Sequence, residues 1–218
     1  MSRLYIFADE SGDFTFTNGH NISRYFIVCT VTMESCLVGS DLLELRRKLA
    51  WEGRELGDHF HATADKQEVR DLVFEAIIQH NFQIQATIME KCKAEPQTRT
   101  SDTRFYQYGW YYHFFNGMQN ITRPYPELHV TAASIGVKKE RQTFKHAISD
   151  VMRQTIQGKK WSADVFPAGT DPCLLVADYC AWAIMRKWER NDFQSYDIIK
   201  DRITYEYDLW SHGKTTYY

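Results

Sequence analysis

The chain has 218 residues, of which 44% are hydrophobic and 25% are charged, and its formal net charge is −2. This composition is that of an ordinary globular protein, and the length suffices for one domain with a sizeable core. The near-neutral charge excludes a global basic field of the kind that draws a protein to nucleic acid, while a local basic face stays compatible with it.

The sequence predicts a cytoplasmic protein with no membrane segment. Its five cysteines are odd in number and form no C-x-x-C pair, which favours reduced thiols over a disulfide framework or a zinc knuckle. No apolar run approaches the length of a membrane span. The N-terminus reads as a strand followed by charged residues, which is not the pattern of a signal peptide.

The first strand and the turn after it hold the most informative acids. Leu4–Ala8 is apolar without alternation, which predicts a strand buried on both faces in the centre of a sheet. Asp9 follows at the end of this strand, with Glu10 and Asp13 close behind and Gly12 allowing a tight turn. Carboxylates crowded at a buried position are unfavourable unless a cation such as Mg²⁺ or Mn²⁺ lies among them. The alternative is a set of ordinary turn-forming acids.

Two further strands are predicted directly after this turn. Phe14–Thr17 reads as a short strand, the dipeptide at 18–19 as a turn, and Tyr25–Thr32 as the next strand, which together predict a three-strand antiparallel meander. Leucines at helical spacing then predict a helix over 39–54, the start of a helical insertion near 39–80.

The segment 58–65 reads as a loop or short strand before a second helix of the insertion. Asp65 is a candidate N-cap of that helix, with Glu68 as the reciprocal member of a capping box. His61 is a candidate proton shuttle or third metal ligand, because imidazole titrates near neutrality. His59 and His61 alternate and would point in opposite directions in an extended segment.

The middle of the chain alternates between strands and helices. We predict strands at 82–89, 128–133 and 161–166, and helices at 102–118 and 138–157. The helix at 102–118 is aromatic nearly all round, which predicts burial in the core or at an interface, with a base-stacking surface as the alternative. An interface would be consistent with a homodimer.

A late helix carries the second informative acid. Asp171 or Thr170 caps it, Pro172 occupies its first turn, and it runs to about Arg190. Asp178 lies on its apolar face, where an ionised carboxylate requires either hydrogen-bond donors or a cation shared with another acid. We favour the shared cation. A last helix is predicted at 196–203, within a C-terminal helical extension near 195–218.

The two acidic motifs together resemble a known family. A strand ending in Asp9-Glu10-Ser11-Gly12 and a late helix reading Leu174–Tyr179 are similar to the domain-of-unknown-function 3800 family of prokaryotic and phage-associated proteins. The resemblance implies a single ribonuclease H-like domain over residues 1–218. Such a fold opens with an antiparallel three-strand meander, continues with alternating helices and parallel strands, and ends in a helix that bears an acid.

The resemblance also implies a metal-dependent nuclease or nuclease-like site. Asp9 matches the acid of the first strand and Asp178 the acid of the last helix, so Asp9, Asp178 and Glu10 are the candidate metal ligands for Mg²⁺ or Mn²⁺. The same three residues and His61 are the candidate catalytic residues. The family pattern has an acid on a middle strand as well, whereas this chain has Ser134 there, and Glu90 is a candidate substitute.

The expected partner is nucleic acid, either RNA or DNA. The start of the helix at 138 supplies the candidate phosphate contacts, which are Lys138, Lys139, Arg141 and Lys145. Two alternatives stay open: a catalytically inert module that binds nucleic acid or protein, favoured by the missing middle-strand acid, and a metal-dependent phosphatase.

Overall fold

The computed structural model describes residues 3–134 and 138–218, and within them every side chain except those of residues 138–140. The strands are β1 (Arg3–Ser11), β2 (Tyr25–Met33), β3 (Gln83–Glu90), β4 (Glu127–Ala133), β5 (Lys160–Phe166) and β6 (Ile203–Asp208). The α-helices are α1 (Leu37–Trp51), α2 (Gln67–Ile77), α3 (Asp102–Tyr112), α4 (Gln119–Thr122), α5 (Lys138–Thr155), α6 (Pro172–Arg190) and α7 (Tyr196–Ile199). No helix in this part of the chain is long and apolar enough to cross a membrane.

The strands form one six-stranded mixed sheet in the order β5-β4-β1-β2-β3-β6. The pairs β1–β2 and β2–β3 are antiparallel, whereas β1–β4, β4–β5 and β3–β6 are parallel. β1 has a neighbour on each side, as its continuous apolar run predicts, and Ile6 and Ala8 are fully buried. The predicted α/β class, with a mixed sheet flanked by helices, is therefore confirmed.

Helices cover both faces of the sheet, and the alternation of β1 decides which side chain meets which layer. Phe7 packs in a core with α1, α2 and α6, whereas Ile6 packs in a second core with α3 and α5. Because successive residues of a strand point to opposite faces, Asp9 projects toward α6 and Glu10 toward α3. Their partners across β2 agree, since Cys29 opposite Asp9 belongs to the first core and Val28 opposite Glu10 to the second.

The third strand of the meander is β3, and the prediction of a strand at Phe14–Thr17 is wrong. That segment is a loop in which Phe14 packs on Phe26, with ring centroids 5.0 Å apart. Asp13 closes the loop by accepting hydrogen bonds from the backbone N–H groups of Ser23 and Thr15, both at 2.7 Å. These local bonds satisfy the backbone without a strand partner, so the helical insertion lies between the second and third strands.

The predicted aromatic helix at 102–118 changes character at its midpoint. α3 ends at Tyr112 and continues as a π-helical segment over His113–Met118. The His113 ring is fully buried between the hydroxyls of Thr30 and Thr87, each 2.9 Å away. Burial lowers the pKa of His113 to about 3, so the ring is neutral and bridges the helix to the sheet.

The C-terminal extension contains a strand as well as a helix. α7 ends at Ile199, earlier than the predicted 196–203 helix, and β6 then pairs in parallel with β3. Glu206 of β6 accepts hydrogen bonds from Lys187 at 2.6 Å and from the Trp188 indole at 2.7 Å, which fastens the strand to α6. The chain here satisfies the open edge of β3, a tertiary effect that local helical propensity does not reveal.

A buried lysine fixes the loop that follows β1. The Lys91 side chain is 1% exposed and donates to Asp13 Oδ1 at 2.8 Å and to the Thr15 carbonyl at 2.9 Å. Gly12 allows the turn, because its φ of 110° lies where a side chain is strained and a Cβ there would collide with the Tyr25 carbonyl. The Lys91 ammonium thus balances the charge of Asp13, and the Asp13 carboxylate stabilises the loop after β1.

Replacing Lys91 with Met should lower the free energy of unfolding by about 2–3 kcal/mol, because it removes the ammonium that balances the Asp13 charge and that donates to the carbonyls of Asp13 and Thr15. The loss of stability is smaller than for a fully buried ion pair, because the Asp13 side chain is 37% exposed. Urea unfolding measures the loss. The matched control is Lys200→Met, whose exposed pair with Asp197 contributes less than about 1 kcal/mol. Equal losses for the two variants would show that Lys91 has no special role.

Candidate active site

Asp9 sits near the end of β1 with an unfavourable charge. Its Oδ1 accepts the backbone N–H of Glu10 at 2.9 Å, and Oδ2 accepts no hydrogen bond from any described residue. Desolvation raises the pKa of Asp9 well above its ordinary value, and the charges of Asp178 and Glu10 raise it further. The carboxylate therefore needs a proton or a cation.

Asp178 of α6 lies close to Asp9, and it is only 7% exposed. Its Oδ2 accepts the backbone N–H of Ala62 at 2.8 Å and the Nδ1–H of His61 at 3.2 Å. Its Oδ1 has no donor among the described residues. The structure thus brings Asp9 and Asp178 together, and each acid keeps one oxygen that the protein does not use.

A short loop between α1 and α2 supports Asp178. Asp65 closes this loop by accepting the His61 backbone N–H at 2.8 Å and the Tyr179 hydroxyl. Arg70 holds the other side, with Nη1 donating to the Ala62 carbonyl at 2.9 Å. Tyr179 follows Asp178 directly on α6, so the same turn of helix fixes both the acid and the loop that donates to it.

The prediction that Asp65 caps α2 is wrong. The N-cap position is Lys66, which has no side-chain capping bond, and Glu68 pairs with Arg54 at 2.6 Å instead of closing a capping box. The local preference of Asp for a cap gives way here to the loop and the Tyr179 hydroxyl, which offer the carboxylate two donors.

His61 lies beside the acid pair with its side chain half exposed. The hydrogen bond that His61 donates to Asp178 is the main cause that raises the pKa of His61 above its ordinary value. His59 does not point in the opposite direction, because the segment forms bends and turns, and the two imidazole centroids are 6.2 Å apart. His61 is thus placed to exchange a proton next to Asp178.

Glu10 is not part of this group, although the sequence offered it as a metal ligand. Its Oε1 accepts the indole N–H of Trp110 of α3 at 2.8 Å, on the other side of the sheet from Asp178. Its Oε2 is buried and has no partner in the described part of the chain. Burial is the main cause that raises the pKa of Glu10 to about 7, while the hydrogen bond from Trp110 opposes the rise.

The structure describes the side chains of two of the four residues predicted to contact phosphate. Lys138 and Lys139 begin α5, but their side chains lie outside the described residues. Lys145 is paired with Asp164 at 2.6 Å, which neutralises it. Arg141 has a buried Nε without a partner among the described residues.

The middle-strand position also differs from a full set of acids. Ser134 follows β4 and donates its backbone N–H to the Phe166 carbonyl at 2.7 Å. Glu90, the candidate substitute, is paired with Arg24 at 2.5 Å and Lys93 at 2.9 Å, so its charge is already balanced.

The acid pair fits a divalent cation of modest protein ligation. Across residues 3–134 and 138–218, no group of three or more His, Cys, Asp and Glu side chains forms a metal-binding arrangement. Magnesium, however, is commonly held by one or two carboxylates and fills its remaining positions with water and substrate phosphate. The free oxygens of Asp9 and Asp178 and their mutual repulsion suit that mode of binding.

No protein-family model matches this sequence, and no curated protein matches it either.

Sequence reasoning missed Trp110 as the partner of Glu10, and it missed Tyr179, Arg70 and Asp65 as the support of Asp178. Strand alternation was the available signal for Glu10, because it separates adjacent residues of β1. Nothing in the sequence marks the support of Asp178, which arises from tertiary contacts of α6 and Arg70 with the loop before α2.

The carboxyl of Glu10 should make stability depend on pH. Its pKa rises from 4.5 to about 7 on folding, so the folded protein holds this proton more tightly than the unfolded chain. The resulting stabilisation is complete below the unfolded pKa and is lost as the pH rises through the folded one. We expect Glu10→Gln to gain up to roughly 3 kcal/mol on the parent between about pH 5 and about pH 8.

Urea unfolding at the two pH values, in EDTA, measures this gain. The control is Glu68→Gln on the exposed surface of α2, whose offset from the parent should be the same at both pH values. A Glu10→Gln variant that tracks the parent at both pH values would contradict the buried environment of this carboxyl.

Proposed function

We propose that this protein is a divalent-metal-dependent hydrolase of phosphodiester bonds in nucleic acid, with Asp9 and Asp178 as the ligands of Mg²⁺ or Mn²⁺. One observation carries the proposal: two desolvated carboxylates, from the central strand and a late helix, repel each other and each keep one oxygen free. In a purely structural acid, both carboxylate oxygens are expected to accept hydrogen bonds from the protein, as those of Glu90 and Asp13 do.

The sheet order supports a ribonuclease H-like fold. The meander β1-β2-β3, the parallel strands β4 and β5 on the other side of β1, and a late helix bearing an acid are the arrangement that the family resemblance implied. Membership of the domain-of-unknown-function 3800 family, with its prokaryotic and phage association, is part of this proposal and rests on the two quoted motifs.

Asp9, Asp178 and His61 have different roles in the proposed reaction. A bound divalent cation supplies Lewis-acid stabilisation of the charge that develops on phosphate, and it lowers the pKa of a coordinated water. Asp9 and Asp178 would hold the cation near the C-terminal end of β1. His61 donates its Nδ1–H to Asp178, which leaves Nε2 of the half-exposed ring to accept or return a proton at the solvent side.

A catalytically inert module of the same fold is the second candidate. The specific observation in its favour is the replacement of the middle-strand acid by Ser134, together with the pairing of Glu90 with Arg24 and Lys93. A metal-dependent phosphatase would share the acid pair and would differ in its products.

The metal site can be tested without relying on activity. Mn²⁺ at about 100 times its dissociation constant should stabilise the parent by about 2.7 kcal/mol, which raises the melting temperature by roughly 5–10 °C. Asp9→Asn and Asp178→Asn should abolish this shift. Asp9→Asn should also melt higher than the parent in EDTA, because it removes a charge that repels Asp178 and is desolvated.

The control is Asp197→Asn, which removes an exposed acid paired with Lys200 and should keep the full metal response. The same proteins, incubated with Mn²⁺ and either oligonucleotides or small phosphomonoesters, separate the candidate functions. Cleavage of the oligonucleotide that is lost in both site variants is the expected result. A metal shift without cleavage would favour the inert module, release of phosphate from monoesters alone would favour the phosphatase, and a parent without any metal shift would sink the proposal.

A further inference from the structure

A groove of about 570 Å³ opens next to the acid pair. Its walls are the loop after β1, the start of α2 and the last turns of α6. Ser11 lies two residues beyond Asp9, Thr63 lies next to Ala62, and Trp182 lies one helical turn beyond Asp178. The groove therefore begins beside the candidate active site and follows α6 to its C-terminal end.

The cationic side chains of this groove are less neutralised than its acids. Arg70 donates to backbone carbonyls and to Gln67, and it forms no salt bridge with a carboxylate of the described residues. Arg190 is exposed and has no ion-pair partner in the described part of the chain, whereas Arg186 pairs with Asp192 at 2.6 Å. These arginines also offset the partial negative charge at the C-terminus of α6.

Two acids line the groove, and each accepts at least one hydrogen bond from the protein. Asp13 accepts from Lys91 at 2.8 Å, and the charge of that buried ammonium lies directly behind it. Glu189 accepts the backbone N–H of Tyr25 at 2.8 Å. The groove is therefore lined by three guanidinium groups against two carboxylates, and the Lys91 ammonium compensates the carboxylate of Asp13.

The groove also has flat surfaces suited to a nucleobase. The guanidinium of Arg70 lies over the Trp182 ring at 4.7 Å from its centroid, and that of Arg186 lies at 5.6 Å. Arginine planes and an indole beside a cationic track are the combination with which proteins bind single strands without reading their sequence. The volume of the groove lies within the range of about 300–1,000 Å³ that is typical of ligand pockets. A groove of this size is far too small for a duplex.

We propose that this groove binds single-stranded nucleic acid, with Arg190 and Arg70 contacting the backbone phosphates and the Trp182 cluster lying against a base. The inference rests on the proposed function, since it supplies the strand that Asp9 and Asp178 would cleave. It places the substrate on α6 and α2.

Binding in EDTA tests the groove separately from catalysis. A fluorescently labelled single strand of roughly ten nucleotides, within common site sizes, is titrated with the full chain and followed by anisotropy. We expect Arg190→Glu to weaken binding by about tenfold or more, and Arg190→Ala to lower the slope of log affinity against log salt by about 0.7, the effect of one lost phosphate contact on a single strand.

The matched control is Arg123→Glu. It makes the same change in net charge at an exposed arginine just before β4, at the edge of the sheet opposite the acid pair, and it should leave affinity and slope unchanged. Equal losses for Arg190→Glu and Arg123→Glu would overturn the groove. So would a parent that binds no single strand, or one that binds a duplex of the same length more tightly than the single strand.

Cleavage assays with Mn²⁺ keep the two proposals apart. Asp9→Asn should lose cleavage yet bind the strand in EDTA at least as tightly as the parent, because it removes a negative charge near the groove. Binding that depends on Arg190 in a parent that does not cleave would leave the groove standing and refute the hydrolase. Cleavage with an unchanged KM in Arg190→Glu would refute the groove and leave the hydrolase standing.

Discussion

The repulsion between Asp9 and Asp178 is the constraint that gives meaning to the rest of this site. β1 lies in the middle of the sheet, and α6 packs across it. The apolar core between this face of the sheet and α6 therefore holds the two acids near the C-terminal end of β1. Folding therefore drives two carboxylates together against their charge. A protein keeps such an arrangement at a functional site more often than elsewhere, because a buried charge without a partner lowers stability.

The surroundings of the acid pair are rigid where a ligand would need them to be. Tyr179, Asp65 and Arg70 fix the loop that donates to Asp178, and Lys91 fixes the loop beyond Asp9. The contacts of Tyr179 with Asp65 and of Lys91 with Asp13 join segments far apart in the chain, so the geometry of the acids follows from tertiary packing and not from the flexibility of one loop. Preorganised ligands of this kind lose little freedom when a cation binds.

Much of the frame was predictable from hydrophobic pattern alone. The apolar run of β1 and the apolar face around Asp178 identified the central strand and the late helix, because burial on both faces of a strand and along a stripe of helix leaves distinct periods. The side-chain partners were not predictable. Phe14–Thr17 and Asp65 followed local preferences for a strand and a cap, and contacts from Ser23, Lys91 and Tyr179 overrode those preferences. For Glu10, the period of two already indicated the opposite face.

The parallel pairing of β6 with β3 has a consequence for how this molecule meets other copies of itself. β3 is almost wholly buried, and without a neighbour it would offer a long row of free amides to any extended segment. β6 occupies that row with a short strand, and the acidic side chains of Glu206 and Asp208 lie in it. β6 thereby disfavours the addition of a strand from another molecule at this end of the sheet, and so it lowers the tendency of the protein to aggregate.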